Sequence, residues 1–181
     1  MIVKETALEG CYIIQPRVFE DKRGYFIESF NKKAFQEATG LEVDFVQDNE
    51  SQSSKGVLRG LHYQRGEYAQ AKLVRVVKGK VLDIAVDLRE NSETFGKHVS
   101  IELSEENKQQ LFVPRGFAHG FVVLSATALF SYKCDNYYNV NAESGIIYND
   151  PYLNIDWRLP KDQIVISDKD MVLPNLKSAV L

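Results

Sequence analysis

Leu82, Ile84, Val86 and Leu88 alternate with Asp83, Ala85 and Asp87, a pattern that restricts the fold more than any other in the chain. Successive side chains of a strand point to opposite faces, so this period of two predicts a β-strand with one buried, apolar face. Just upstream, Lys72, Val74 and Val76 alternate with Leu73, Arg75 and Val77, and Lys78-Gly79 marks the turn between the two segments. Similar short segments recur at 11–15, 25–30, 45–49, 57–64, 99–103, 110–113, 120–124 and 129–137. Turn signals such as Asp21-Lys22-Arg23-Gly24 and Pro114-Arg115-Gly116 lie between them. Short strands at this spacing predict a sandwich or barrel.

Composition agrees with the order. Val and Ile together number 29 and Phe, Tyr and Trp 20, against 11 Ala; β-branched and aromatic side chains suit a pleated, half-buried surface. Helix signals are few. Residues 31–39 predict a short helix stopped by Gly40, and Ser167-Asp168-Lys169-Asp170 reads as the capped start of a turn ending before Pro174. With 181 residues and no linker-like stretch or fixed repeat, we expect one mainly-β domain over 1–181.

Charge and cysteine content exclude several roles. The 22 Lys and Arg residues against 25 Asp and Glu give a net charge of −3, without the broad basic field of a general nucleic-acid binder. No apolar run approaches the roughly 20 residues of a membrane helix. The opening Met1-Ile2-Val3-Lys4-Glu5-Thr6 has no signal-peptide character, so a cytoplasmic protein is expected. Cys11 and Cys134 are too few and too far apart for a disulfide framework or a CxxC metal site, and read as reduced thiols.

Three histidines, His62, His98 and His119, are the first candidates for chemistry. None has a histidine neighbour two residues away, the usual spacing for two metal ligands on one strand, although scattered histidines can converge in space. His62 lies in Gly56-Val57-Leu58-Arg59-Gly60-Leu61-His62-Tyr63-Gln64. Strict alternation puts His62 with Leu58, Gly60 and Gln64, and Arg59 on the other face. For both to serve one site the strand must break its alternation, and Gly60 is where a bulge costs least. Lys72 begins a strand, which suits either a solvated end or an ammonium aimed at a developing oxyanion. Tyr132 fits a core-facing aromatic with its hydroxyl at the rim, and Asp170 a first-turn acid.

In chain order, these residues belong to a longer series. The blocks run Phe19 to Glu28, Gln47-Asp48-Asn49-Glu50-Ser51, Gly56 to Gln64, Gln70-Ala71-Lys72-Leu73-Val74-Arg75-Val76-Val77 and Ser92-Glu93-Thr94-Phe95-Gly96. They continue through Pro114-Arg115-Gly116-Phe117-Ala118-His119-Gly120-Phe121, Tyr132-Lys133, Tyr137-Tyr138, Asn149-Asp150-Pro151, Ile155-Asp156-Trp157 and Ser167-Asp168-Lys169-Asp170. From about residue 15 to residue 176 the series strongly resembles the dTDP-4-dehydrorhamnose 3,5-epimerase family. Trp157-Arg158, where the family pattern has Trp-Pro, and the lack of a proline near Val140 are small departures.

The resemblance implies a cupin-like jelly-roll, a homodimer, and a reaction needing neither metal nor other cofactor. The implied substrate is dTDP-4-dehydro-6-deoxy-D-glucose, inverted at carbons 3 and 5 on either side of a ketone that delocalises the enolate. It further implies His62 as general base, Asp170 as its orienting carboxylate, Lys72 as enolate stabiliser and Tyr132 as the acid on the opposite face. Loss of an oxyanion donor such as Lys72 typically costs about 2.7–4 kcal/mol. Arg23 and Arg59 offer forks matched to phosphate oxygens. Gln47, Asp48, Asn49 and Glu28 supply polar groups for base or ribose, and Tyr138 a stacking surface. His119, Glu143 and Lys169 also contact substrate by the resemblance. The competing readings are a single-centre epimerase, a non-catalytic nucleotide-sugar-binding barrel, and a metal-dependent cupin.

Overall fold

The computed structural model describes residues 1–181. In chain order the strands are β1 (Ile2–Glu5), β2 (Tyr12–Gln15), β3 (Val18–Asp21), β4 (Gly24–Ile27), β5 (Gln47–Ser54), β6 (Leu58–Gln64), β7 (Lys72–Lys78), β8 (Lys80–Asp87), β9 (His98–Ser104), β10 (Gln110–Val113), β11 (Phe117–Val123), β12 (Thr127–Cys134) and β13 (Glu143–Gly145). Helix α1 (Lys32–Thr39) follows β4 and α2 (Asp168–Met171) lies near the C-terminus. One six-stranded sheet has the order β1-β2-β10-β7-β12-β5 and faces a five-stranded sheet of order β13-β6-β11-β8-β9, while β3 and β4 pair only with each other. All named pairings are antiparallel. No helix is long and apolar enough to cross a membrane.

Three apolar clusters hold the layers together. Val74, Val76, Leu111, Val113, Phe121 and Phe130 belong to the cluster between the sheets. Leu82, Ile84 and Val86 turn outward beneath the C-terminal segment, where Leu153, Trp157 and Leu176 cover them. On the outer face of the six-stranded sheet, Phe35 of α1 packs on Ile14, Leu73 and Phe112. That helix begins at Asn31, whose side chain accepts from Ala34 N, and ends at Gly40 in the left-handed region, as its cap residues predict.

The main departure from the sequence reading concerns β8. Alternation predicts that Asp83 and Asp87 face water, yet both are fully buried, so β8 has two buried faces. Partners explain Asp87. It receives Arg89 Nε at 2.9 Å, Arg89 Nη2 at 2.8 Å, and the Ser92 and Thr94 hydroxyls at 2.6 Å each. Burial opposes its charge, but these donors outweigh burial and hold the carboxyl far below its usual range. A depressed folded-state pKa stabilises above the unfolded value of about 3.9 and loses that contribution as pH falls through the folded-state value. Asp87→Asn therefore costs about 3–5 kcal/mol at pH 7. In urea unfolding, the gap between parent and variant closes as pH drops below the ordinary carboxylate range. A gap independent of pH contradicts this role for Asp87.

Other boundaries moved for physical reasons. The segment expected at 45–49 is the later strand β5, Gln-Asp-Asn-Glu-Ser-Gln-Ser-Ser, with no apolar residue; without hydrophobic alternation it has no strand signature. β11 starts before the predicted 120–124 and is buried throughout, which also removes the alternation. The segment expected at 129–137 ends at Cys134, where Asp135 turns away to accept Ala71 N at 2.6 Å. β1 and β13 had no sequence signal strong enough to predict them.

Candidate active site

Between the two sheets lies a cavity of about 520 Å³, a size suited to a small-molecule site. Its walls include His62, Arg59, Lys72, His119, Tyr132, Lys169 and Asp170. Seven residues predicted from scattered blocks thus converge on one space.

Local backbone on β6 brings Arg59 and His62 together. Against β11, His62 pairs with His119 and Arg59 with Phe121, so β6 spends three steps where β11 takes two. The extra residue breaks the alternation that would otherwise separate the two side chains. Gly60 sits at the break with φ 130°, and a Cβ there would lie 2.6 Å from Gly120 Cα. Only glycine fits both conditions.

Asp170 reaches His62 through a second local arrangement. Val165 N donates to Gly56 O at 2.9 Å and Leu58 N to Val165 O at 2.8 Å, tying the C-terminal segment to the start of β6. Ser167 caps α2 by accepting from Asp170 N at 3.2 Å. The buried Asp170 carboxylate then meets His62 Nε2 at 2.8 Å and accepts Gly60 N at 3.3 Å. Burial raises its pKa, but hydrogen bonding and charge interaction with His62, aided by Gly60 N–H, outweigh this and keep it ionised. An ionised Asp170 assigns the proton of neutral His62 to Nε2 and leaves Nδ1 as the free base.

Lys72 and Tyr132 come from the opposite sheet, on β7 and β12. Lys72 has no carboxylate within salt-bridge distance, and burial pushes its pKa down. Burial pushes the Tyr132 phenol up, reinforced by Cys134 and Glu143 and opposed by Arg59, so it holds its proton. Arg59 is likewise free of acidic partners; its Nε donates to Ser53 Oγ at 3.1 Å. Two basic side chains without acidic partners in one cavity favour an anionic ligand.

A second histidine–carboxylate pair lies beside the first. His119 Nε2 is 2.9 and 3.0 Å from the two oxygens of Asp83, and both residues are buried. Sequence alternation points Asp83 to solvent and gives no sign of this pairing. A clue is its place on one face with Ala85 and Asp87 in a strand too apolar to have a wet face. Neither pair forms part of a group of three or more His, Cys, Asp or Glu arranged to hold a metal.

The remaining predicted contacts lie at or beyond the rim. Glu143 on β13 accepts Tyr138 OH at 2.8 Å and Lys169 Nζ at 2.6 Å, linking Tyr138 to the cavity wall. Burial disfavours the Glu143 carboxylate, but Lys169 and Tyr138 together hold its pKa low. Gln47 and Asn49 face inward and bond to each other at 3.0 Å. Asp48 points the other way and pairs with Lys133 at 2.8 Å. Arg23 and Glu28 are not brought to the cavity. Arg23 lies at the tip of the β3–β4 ribbon, paired with Asp21, and Glu28 follows β4 in an exposed position.

Comparison with known proteins gives a consistent result. The model of the family described as dTDP-4-dehydrorhamnose 3,5-epimerase matches residues 5–178. A curated Shigella flexneri dTDP-4-dehydrorhamnose 3,5-epimerase is 55% identical over 171 residues, covering 94% of this chain and 93% of the relative. The crystal structure of dTDP-4-dehydrorhamnose 3,5-epimerase from Elizabethkingia anophelis superposes with a TM-score of 0.93 at 60% identity, covering 97% of this chain and 96% of that one. The dTDP-6-deoxy-D-glucose-3,5-epimerase from Legionella pneumophila, solved with dTDP-4-keto-L-rhamnose, gives a TM-score of 0.94 at 49% identity, with 97% and 93% covered.

Proposed function

Because the chain belongs to the dTDP-4-dehydrorhamnose 3,5-epimerase family, we propose that its sandwich cavity performs the family's double inversion with base and acid on opposite walls. The protein is a cupin-like isomerase. It converts dTDP-4-dehydro-6-deoxy-D-glucose to dTDP-4-dehydro-L-rhamnose by inverting carbons 3 and 5. His62 and Asp170 stand on the five-stranded sheet and its covering segment, Tyr132 and Lys72 on the six-stranded sheet. This opposition carries the reading, since inversion needs a proton removed from one face and returned to the other.

In each half, His62 Nδ1 takes the proton from the carbon beside the ketone. The C–H electron pair moves into the ring, and the negative charge settles on the carbon-4 oxygen, where the Lys72 ammonium meets it. Tyr132 OH then protonates the same carbon from the far side, and the electrons return from oxygen to carbon. His62 is left protonated and Tyr132 deprotonated, so exchange with solvent resets both before the second centre reacts. Arg59 holds the diphosphate, while Gln47, Asn49 and Tyr138 face the nucleoside and His119, Glu143 and Lys169 border the sugar. Asp48 joins them through its backbone position beside Asn49.

Arg23 and Glu28 lead to a homodimer. Their ribbon pairs with neither large sheet and exposes Phe19, Tyr25 and Phe26. Such a projecting apolar ribbon suits insertion against a second copy, where Arg23 and Glu28 complete the partner's cavity. Residues 1–181 act as one domain in each copy, in the cytoplasm, a compartment that suits the free thiols of Cys11 and Cys134.

A complementation assay tests reaction and assembly together. NMR follows formation of the L-configured product by the parent, by Arg23→Ala, by His62→Ala and by a refolded mixture of the two variants at substrate below KM. If Arg23 acts across the interface, each mixed dimer holds one intact site, and the mixture regains roughly a quarter of parental activity. A parent that leaves the keto sugar unchanged sinks the reaction. A mixture no better than the variants places Arg23 outside the partner's site.

A further inference from the structure

Gln64 is a buried polar residue on β6, two positions beyond His62, with no part in the proton transfers. Its amide uses three bonds on three backbone groups. Nε2 donates to Tyr68 O at 2.8 Å and to Tyr137 O at 3.1 Å, and Oε1 accepts Asn139 N at 2.6 Å. Two of these groups flank Tyr138 on either side. The segment carrying Tyr138 forms no helix or strand, so side-chain bonds must fix its path.

Other bonds reinforce the strap from the surface. Asn136 Nδ2 donates to Glu67 O at 2.8 Å, and Gln70 Nε2 donates to Asn136 O at 2.8 Å. Gln64 binds it from a buried position. Tyr138 N–H reaches Gln47 Oε1 at 3.1 Å and its hydroxyl reaches Glu143, while more than half of its surface stays exposed. An exposed aromatic ring held at both ends is preorganised for stacking, which lowers the ordering cost of binding.

We propose that Gln64 is a positioning residue for nucleotide binding, acting through Tyr138 by clamping the backbone on both sides of it. The proposal rests on Tyr138 being a nucleotide contact. Gln64→Glu keeps the shape but turns a carboxylate oxygen toward the carbonyls of Tyr68 and Tyr137. Gln64→Met keeps length and burial but makes none of the three bonds.

The test measures dTDP affinity by calorimetry, and KM and kcat with the keto sugar, for both variants, for Tyr138→Ala and for each double variant. Both Gln64 variants should raise the dTDP Kd and the KM about tenfold and leave kcat within about twofold, the pattern of lost uniform binding. Tyr138→Ala should do the same, and adding a Gln64 substitution to it should change Kd less than about twofold. Tyr138→Ala with parental affinity removes the premise. Tyr138→Ala weakened while both Gln64 variants bind as the parent overturns Gln64 alone. Additive effects, a fall in kcat at constant KM, or loss of the fold in both Gln64 variants also overturns it.

Discussion

His62→Ala lowers kcat by about 10²–10⁴-fold while leaving dTDP affinity within about twofold. The size follows from its position. The Nε2 of His62 is held by the α2 carboxylate, Asp170, which leaves Nδ1 as the base assigned to the five-stranded sheet. His119 makes the same kind of pair with Asp83, but its side chain is 8% exposed against 30% for His62, so it offers the cavity less of its ring. Nucleotide affinity persists because Gln47 and Tyr138 lie on other segments and Arg59, on β6 with His62, keeps its own bond to Ser53. His62→Asn provides a control that leaves an amide donor for Asp170 and should lose turnover to a similar extent. Stopped assays over hours resolve such rates, and a kcat within tenfold of the parent excludes His62 as the base.

Tyr132→Phe separates the two halves of the reaction. Substrate protons should still exchange with solvent, because His62 and Lys72 suffice to form and stabilise the enolate. Inversion should fall about 10²–10⁴-fold at one or both centres, because the far face has lost its acid. The burial that raises the Tyr132 pKa keeps it protonated and ready to donate. The substitution removes one oxygen from a residue packed against Phe130, so the fold should survive. NMR of the recovered sugar reads exchange and configuration in the same sample. Undiminished inversion in Tyr132→Phe removes it as the acid.

The lining of the cavity was legible in the sequence because its polar members sit in unusual blocks, such as Arg59-Gly60-Leu61-His62 or Ser167-Asp168-Lys169-Asp170. The convergence of Arg59 and His62 required a broken alternation at Gly60, and that is where the register shifts. Asp83 was illegible for the opposite reason. Period-two patterning equates a polar face with a wet one, and β8 turns its acids inward onto His119 and Arg89. β5 is legible only over 47–49, because its inner residues Asn49, Ser51 and Ser53 are polar and carry no apolar alternation. Arg23 belonged to a recognisable block, but its distance from the cavity depends on the path of the β3–β4 ribbon, which local pattern does not encode.

Base and acid on opposing sheets require proton exchange at both carbons flanking the ketone. Incubating the protein with dTDP-4-dehydro-6-deoxy-D-glucose in heavy water, and locating deuterium in the product by NMR, tests it most directly. The expected product carries one deuterium at carbon 3 and one at carbon 5, both in the inverted configuration. A product carrying no deuterium, or deuterium at one of these carbons alone, would contradict it.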